Sequence, residues 1–252
     1  MSAERPVNYG RREDITSLYR DSLRVWIRYL PTWLAVGAVV VVPVDLIVSG
    51  IGLSRLSGPY AAESLGALAV DLAASYVVAT PLITAMTVAG LLEARGGRRP
   101  GALAAIRAGL DAYPRLVLPV IAVAGLCLFG LSMLIVGFFW IAVRLYFVPQ
   151  AVIVDGRTGV RAALRGSDET VSGSWWRVFW IAAITAVVSL LPALLVGRPF
   201  EALAQSLDLE VLSLLGGVVV KTLVGPWVAI VATLLFLDLR ERRGGGPEPQ
   251  RA

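Results

Sequence analysis

Histidine is absent from these 252 residues, lysine occurs once, and there is a single cysteine. Without imidazole there is no histidine acid or base, and zinc and haem lose their usual ligands. Cys127 lies in an apolar run and has no second thiol with which to close a disulfide. Charge is scarce as well. Charged residues make up 16% of the chain, against about 25% in soluble globular domains. Hydrophobic residues account for 57%, and mean hydropathy is +0.74. That balance excludes an ordinary soluble domain.

What the chain does have is arginine, gathered in blocks. Of 23 Lys+Arg residues, 19 fall within 5–28, 95–115, 157–177 and 240–251. The net charge of +5 is not read as a nucleic-acid footprint. The basic residues flank apolar stretches, where membrane orientation and anionic head groups place them. A long charged and polar stretch precedes the first apolar run, so a cleavable signal is not expected.

A helix needs about 20 residues to cross the hydrocarbon layer. Leu30–Leu53, Gly66–Leu92, Val178–Gly197 and Val211–Leu237 each supply one crossing. The stretch Leu116–Val154 holds a single charge, Arg144. One helix of that length would reach about 58 Å, too long for a bilayer. Two crossings fit if the chain turns around Gly130–Gly137, near Ser132. Six spans then put all four arginine blocks on one face, with both termini in the cytoplasm of a bacterial plasma membrane.

Three apolar segments end alike: Leu92-Glu93-Ala94-Arg95, Val154-Asp155-Gly156-Arg157 and Leu237-Asp238-Leu239-Arg240. The runs from Gly101 to Arg107 and from Gly159 to Arg165 also match. Each hairpin is preceded by an amphipathic pattern. In 15–30, Ile15, Leu18, Tyr19, Leu23 and Trp26 share one face, opposite Arg20, Arg24 and Arg28. Leu103, Ile106, Leu110 and Tyr113 repeat at helical spacing, as do Val160, Ala163, Leu164, Ser167 and Val171. The expected fold is an all-α membrane bundle of six transmembrane helices. It is read as three repeats, near 13–95, 101–157 and 159–240, each an in-plane helix plus a two-span hairpin. They form one domain over 1–243, and the tail 244–252 is expected to be disordered. Trp26, Trp33, Trp175 and Trp176 fall where an interfacial aromatic belt belongs.

Four charges fall inside spans: Asp45, Asp71, Arg144 and Lys221. Ionisable groups there are costly and face a bundle interior or water. Counted at 1.5 Å per residue from the basic end, Arg144 lies at about 15 Å, Asp45 at about 21 Å, Lys221 at about 25 Å and Asp71 at about 33 Å. One reading is an outward-opening polar cavity floored by Arg144, ready to hold an anion. The plainer reading, which is preferred, is interhelical ion pairing. Every span also carries a proline: Pro43, Pro81, Pro119, Pro149, Pro192 and Pro226. Transporters use broken helices, but proline is common in membrane helices generally. Small residues four apart, Ala69/Ala73, Ala85/Ala89 and Ala182/Ala186, permit close helix packing, and Gly216, Gly217 and Gly225 do the same.

The run Arg144-Leu145-Tyr146-Phe147-Val148-Pro149, then Val154-Asp155-Gly156 and Arg161 through Ser167, is followed by Gly173-Ser174-Trp175-Trp176-Arg177-Val178-Phe179. Together with the ending from Phe236 to Arg242, it resembles the bacterial membrane-domain family named after glycerophosphoryl diester phosphodiesterase. Asp168 departs from that pattern, which has an aromatic residue after Ser167. The resemblance implies a six-span membrane module tied to lipid metabolism. It does not imply phosphodiesterase chemistry, which belongs to a separate soluble domain rich in histidine and metal-binding carboxylates.

No acid–base pair or nucleophile stands out, so no catalytic residue, metal or cofactor is assigned. The leading expectation is a non-enzymatic protein that binds or organises membrane lipids or supports an unspecified protein partner. Arg20, Arg24, Arg28, Arg107, Arg161, Arg165 and Arg177 would contact anionic head groups at the cytoplasmic face. The alternative is a small transporter or flippase-like carrier that uses the Asp45, Asp71, Arg144 and Lys221 layer.

Overall fold

The computed structural model describes residues 15–50, 74–132, 135–207 and 209–243. Asp71, the tail 244–252 and the centre of the turn after Ser132 lie outside the described residues. Among the described residues the elements are all helical: α1 (Ile15–Arg28), α2 (Leu30–Asp45), α3 (Thr80–Arg95), α4 (Ala102–Ser132), α5 (Ile135–Arg144), α6 (Val148–Val154), α7 (Val160–Val171), α8 (Trp175–Pro192), α9 (Arg198–Leu207) and α10 (Glu210–Arg242). Six helical stretches are long and apolar enough to cross a membrane: Leu30–Val48, Ala74–Arg95, Ala102–Leu131, Val136–Val154, Trp175–Leu207 and Leu215–Arg242. The fold is an all-α polytopic bundle. Leu116–Val154 does divide into two crossings, and Gly130 and Gly137 draw them together. A methyl group on Gly130 would sit 3.0 Å from the Gly137 carbonyl oxygen.

Helix α10 is the hub. It packs against α1, α2, α3, α8 and α9. Its Ile230, Val231, Leu234, Leu235, Phe236 and Leu239 join Leu18, Trp33, Leu91, Phe147 and Ile181 in the main core. The outward surface is apolar too. Leu118, Leu128, Val136, Trp180, Val187 and Leu195 are all exposed, as lipid-facing side chains are where the solvent is hydrocarbon.

In α4 the arrangement differs from the expected in-plane helix followed by a span. The helix runs unbroken from Ala102 to Ser132 through Pro114 and Pro119. A proline costs one backbone hydrogen bond and a kink, but it does not stop a helix that is held on both sides. Before Pro114, Gly109 sits tightly against Met86 of α3; after it, Leu116 packs with Val148 and Val152. The stripe also turns the other way. Leu103 and Leu110 face outward, while Ala105 and Gly109 are buried. Small residues let helices approach closely, and in lipid the large apolar ones need no protein cover. In α1 the buried residues are Leu18, Ser22 and Val25, with Leu23 and Ile27 exposed.

Prolines set the irregular turns. Wide π-helical turns at Leu46–Gly50, Ala74–Ala79 and Ala193–Gly197 lie next to Pro43, Pro81 and Pro192. Pro149 instead opens α6, after a break at Arg144–Phe147. That break is held from α7, where fully buried Ser167 donates to the Arg144 carbonyl (2.8 Å) and accepts from the Phe147 N–H (3.0 Å). Ser167→Ala strands both backbone groups in a dry setting and should cost about 1–3 kcal/mol. A thermal melt of the purified variant in detergent checks it. Ser167→Thr keeps the hydroxyl and, if its methyl fits, should recover most of that loss.

Tryptophan placement is mixed. Trp176 is exposed, whereas Trp33 is wholly buried and its indole N–H donates to the Val25 carbonyl at 3.3 Å. Its ring occupies the space left by Gly90, where a methyl group would meet Trp33 at 3.1 Å. Trp33 is therefore a core residue rather than part of an exposed belt.

Candidate functional site

Among the described residues, the intramembrane charges fall into two separate ion pairs. Lys221 of α10 donates to Asp45 at the end of α2 across 2.8 Å. Asp45 is largely covered, while the Lys221 side chain is 47% exposed, long enough to reach toward polar surroundings. Arg144 lies elsewhere. Its Nε is 2.5 Å from Asp168 of α7, and its guanidinium sits over the Trp140 ring at 4.4 Å. The contact with Asp168 is one of charge rather than an aligned hydrogen bond. The depth count for Arg144 assumed a continuous helix to Val154. The break at 145–147 and the short α6 remove that assumption. Asp168 is thus the counter-ion of Arg144.

A second ionic layer ties the basic ends of the helices together. Arg95 donates to Glu241 at 3.2 Å, and Arg177 donates to Asp238 at 3.1 Å. Asp238 also accepts from Arg242 at 2.9 Å. Arg240 donates to Asp155, which lies 3.7 Å from Arg157, and Arg157 reaches Glu169 at 2.8 Å. Arg243 donates to the Ser172 carbonyl. The three similar segment endings therefore meet one another: Arg240 of the last holds Asp155 of the second, and Arg95 of the first holds Glu241 beside the last. Burial pushes the Asp155 carboxyl above the usual carboxylate range, although Arg240 and Arg157 pull it down. Desolvation outweighs attraction at that point.

The acids in this layer were not among the sequence-derived site residues. The signal for Asp155 and Asp238 was the recurring acid followed two positions later by arginine, whereas Glu169 carried no such mark. Of the arginines assigned to lipid, Arg177 is bound to Asp238, Arg24 to Asp21 at 2.7 Å, and Arg28 lies over Tyr29. Arg20, Arg107, Arg161 and Arg165 are exposed and pair with no acid among the described residues.

Between α1, α8 and α10 lies a cavity of about 250 Å³. Leu23 and Trp26 line it from α1, Val188, Ser189, Leu191 and Pro192 from α8, and Leu223, Val224 and Trp227 from α10. Beside Trp227 lies Tyr19, the two ring centroids 6.3 Å apart. The Tyr19 hydroxyl donates to the Ile181 carbonyl and lies 2.8 Å from the Thr185 hydroxyl. Burial raises this phenol, with the Thr185 hydrogen bond opposing, so it remains a neutral donor. The indole nitrogens of Trp26 and Trp227 are shut off from solvent and have no acceptor.

No protein-family model, curated protein or solved structure matches the chain. Its class rests on the fold itself, six apolar helices in a polytopic bundle.

Proposed function

We propose that the chain is a non-enzymatic integral membrane protein of a bacterial plasma membrane that binds and organises anionic lipids. The basic end of the bundle, with both termini, faces the cytoplasm. The observation that carries this reading is a division among the arginines. Those at the helix ends are neutralised by Asp155, Asp238, Glu241 and Glu169. Arg20, Arg107, Arg161 and Arg165 stay exposed without an acid among the described residues. Guanidinium groups of that kind bind phosphate oxygens in pairs and are attracted to an anionic leaflet. The carrier alternative has less support, because Arg144 and the Asp45–Lys221 pair occupy different interfaces.

Native mass spectrometry of gently extracted protein tests the proposal. Wild type should retain phosphatidylglycerol over phosphatidylcholine. The variant with Arg20, Arg107, Arg161 and Arg165 all changed to Gln should lose that preference by about tenfold or more. An unchanged preference in a folded variant would remove the proposal.

A further inference from the structure

Arg144 joins two unlike exposed surfaces. Through Asp168 it meets α7, where Arg161, Arg165 and Asp168 are spaced to share one helix face and both arginines are exposed. Its guanidinium lies over Trp140, which with Phe139 of α5 and Trp176 and Trp180 of α8 is exposed on the outside of the bundle. Phe179 connects these rings, edge-on to Phe139 at 6.2 Å and to Trp176 at 5.9 Å. A basic face adjoining an aromatic one is the pattern of the boundary between head groups and acyl chains. Arg144 and Asp168 sit on that boundary, and their side chains are 35% and 41% exposed. Both keep unused capacity. Asp168 Oδ1 is shut off from solvent, so the open oxygen of the carboxylate is Oδ2. None of the five N–H donors of Arg144 makes an aligned hydrogen bond among the described residues. An exposed pair of this kind adds little stability by itself. What it offers is an acceptor for a cation beside donors for an anion. A purely anionic head group would bring phosphate to Arg144 but leave Asp168 facing a negative charge. A zwitterion satisfies both.

We infer that Arg144 and Asp168 form a binding site for the phosphoethanolamine head group of a phospholipid. The phosphate accepts from the Nη groups of Arg144, and the primary ammonium donates to Oδ2 of Asp168. The linker between the two charges of the head group is short, which suits two side chains already in contact. The acyl chains of the same molecule lie along Phe139, Trp140 and Trp176, where the exposed surface is apolar. The exposed arginines of α7 favour the same orientation, because Asp168 is the acid on their face and draws the ammonium to itself. This inference goes beyond the anionic-lipid reading, since it concerns another class of head group and a pair of residues that reading does not use.

Methylation of the head-group nitrogen tests the assignment. Phosphatidylethanolamine and phosphatidylcholine with equal chains share the phosphate and the net charge, and the methyl groups of the second remove the ammonium donors. Both are offered in equal amounts to the purified full-length protein, and retention is read by native mass spectrometry. Wild type should retain phosphatidylethanolamine about threefold or more over phosphatidylcholine, the ratio expected of one charge-assisted hydrogen bond at a partly wet site. Asp168→Asn removes the carboxylate charge and should abolish the preference, whereas Asp168→Glu should keep it. Arg144→Gln should lower retention of phosphatidylethanolamine. If the pair served folding alone, none of these substitutions would change the ratio in the folded protein. The preference for phosphatidylglycerol over phosphatidylcholine should persist in Asp168→Asn, so the two lipid readings fail separately. Equal retention by wild type overturns the assignment and needs no variant to fold. A preference that survives Asp168→Asn overturns it as well. So does a preference for phosphatidylcholine, which would mean that the exposed tryptophans cage the quaternary ammonium instead.

Discussion

Asp238→Ala is expected to be the most damaging single loss of charge, at about 3 kcal/mol or more. The carboxylate is 7% exposed and accepts from Arg177 and Arg242, which come from α8 and from its own helix. Removing it leaves two guanidinium groups facing each other in a confined space, without the charge that justified their desolvation. The arginines keep partial contact with water, which holds the cost toward the lower end of the range for broken buried pairs. Against a total stability of about 5–15 kcal/mol, such a loss is severe. Heated samples followed by size-exclusion chromatography in detergent would show it as a large drop in melting temperature. Asp238→Asn retains an acceptor but no charge and should lie between. The control is Asp21→Ala, which removes an exposed pair one turn apart in α1 and should cost less than about 1 kcal/mol. If Asp238→Ala melts with that control, the ionic layer is not what holds the helix ends.

The number of crossings was legible because it depends on length and charge alone. A 39-residue apolar run cannot be one span, and the glycines at 130 and 137 marked where it turns. The pairing of Asp45 with Lys221 was nearly legible for the same reason, since residues counted to similar depths from opposite helices can meet. The depth count for Arg144 lost its basis because it assumes an unbroken helix, and the chain breaks at 145–147. Ser167, twenty residues after Phe147, supplies the hydroxyl that stabilises the break. No local pattern around Arg144 announces so distant a partner. The orientation of α4 was hidden for a different reason. Amphipathic patterning assumes that large apolar residues seek the protein interior, but in hydrocarbon they have no such preference. Size then decides, and Ala105 and Gly109 turn inward because α3 can come close to them. The cavity could not have been read at all. Trp26, Ser189 and Trp227 are remote in sequence, and only packing reveals that two of their donors lack acceptors.

Gly37→Ala should destabilise the protein by about 2 kcal/mol, although alanine is the better helix former. A methyl group there would lie 2.6 Å from the Thr222 carbonyl oxygen and 3.1 Å from its Cα. Both are backbone atoms of α10, so no side-chain rotation relieves the clash, and α2 must move away from the hub helix. That movement also draws Asp45, two turns along α2, away from Lys221. Gly125 in α4 provides the opposite case, since nothing lies within 4 Å of its added methyl group. Gly125→Ala should gain about 0.5–1 kcal/mol from helix propensity alone. Two identical substitutions in two apolar helices are thus expected to shift the melting temperature in opposite directions. Propensity acts equally at both sites, so a difference in sign isolates the close approach of α2 to α10. Equal shifts at Gly37 and Gly125 would mean that the two helices are not in contact at Thr222, and the hub role of α10 would have to be abandoned.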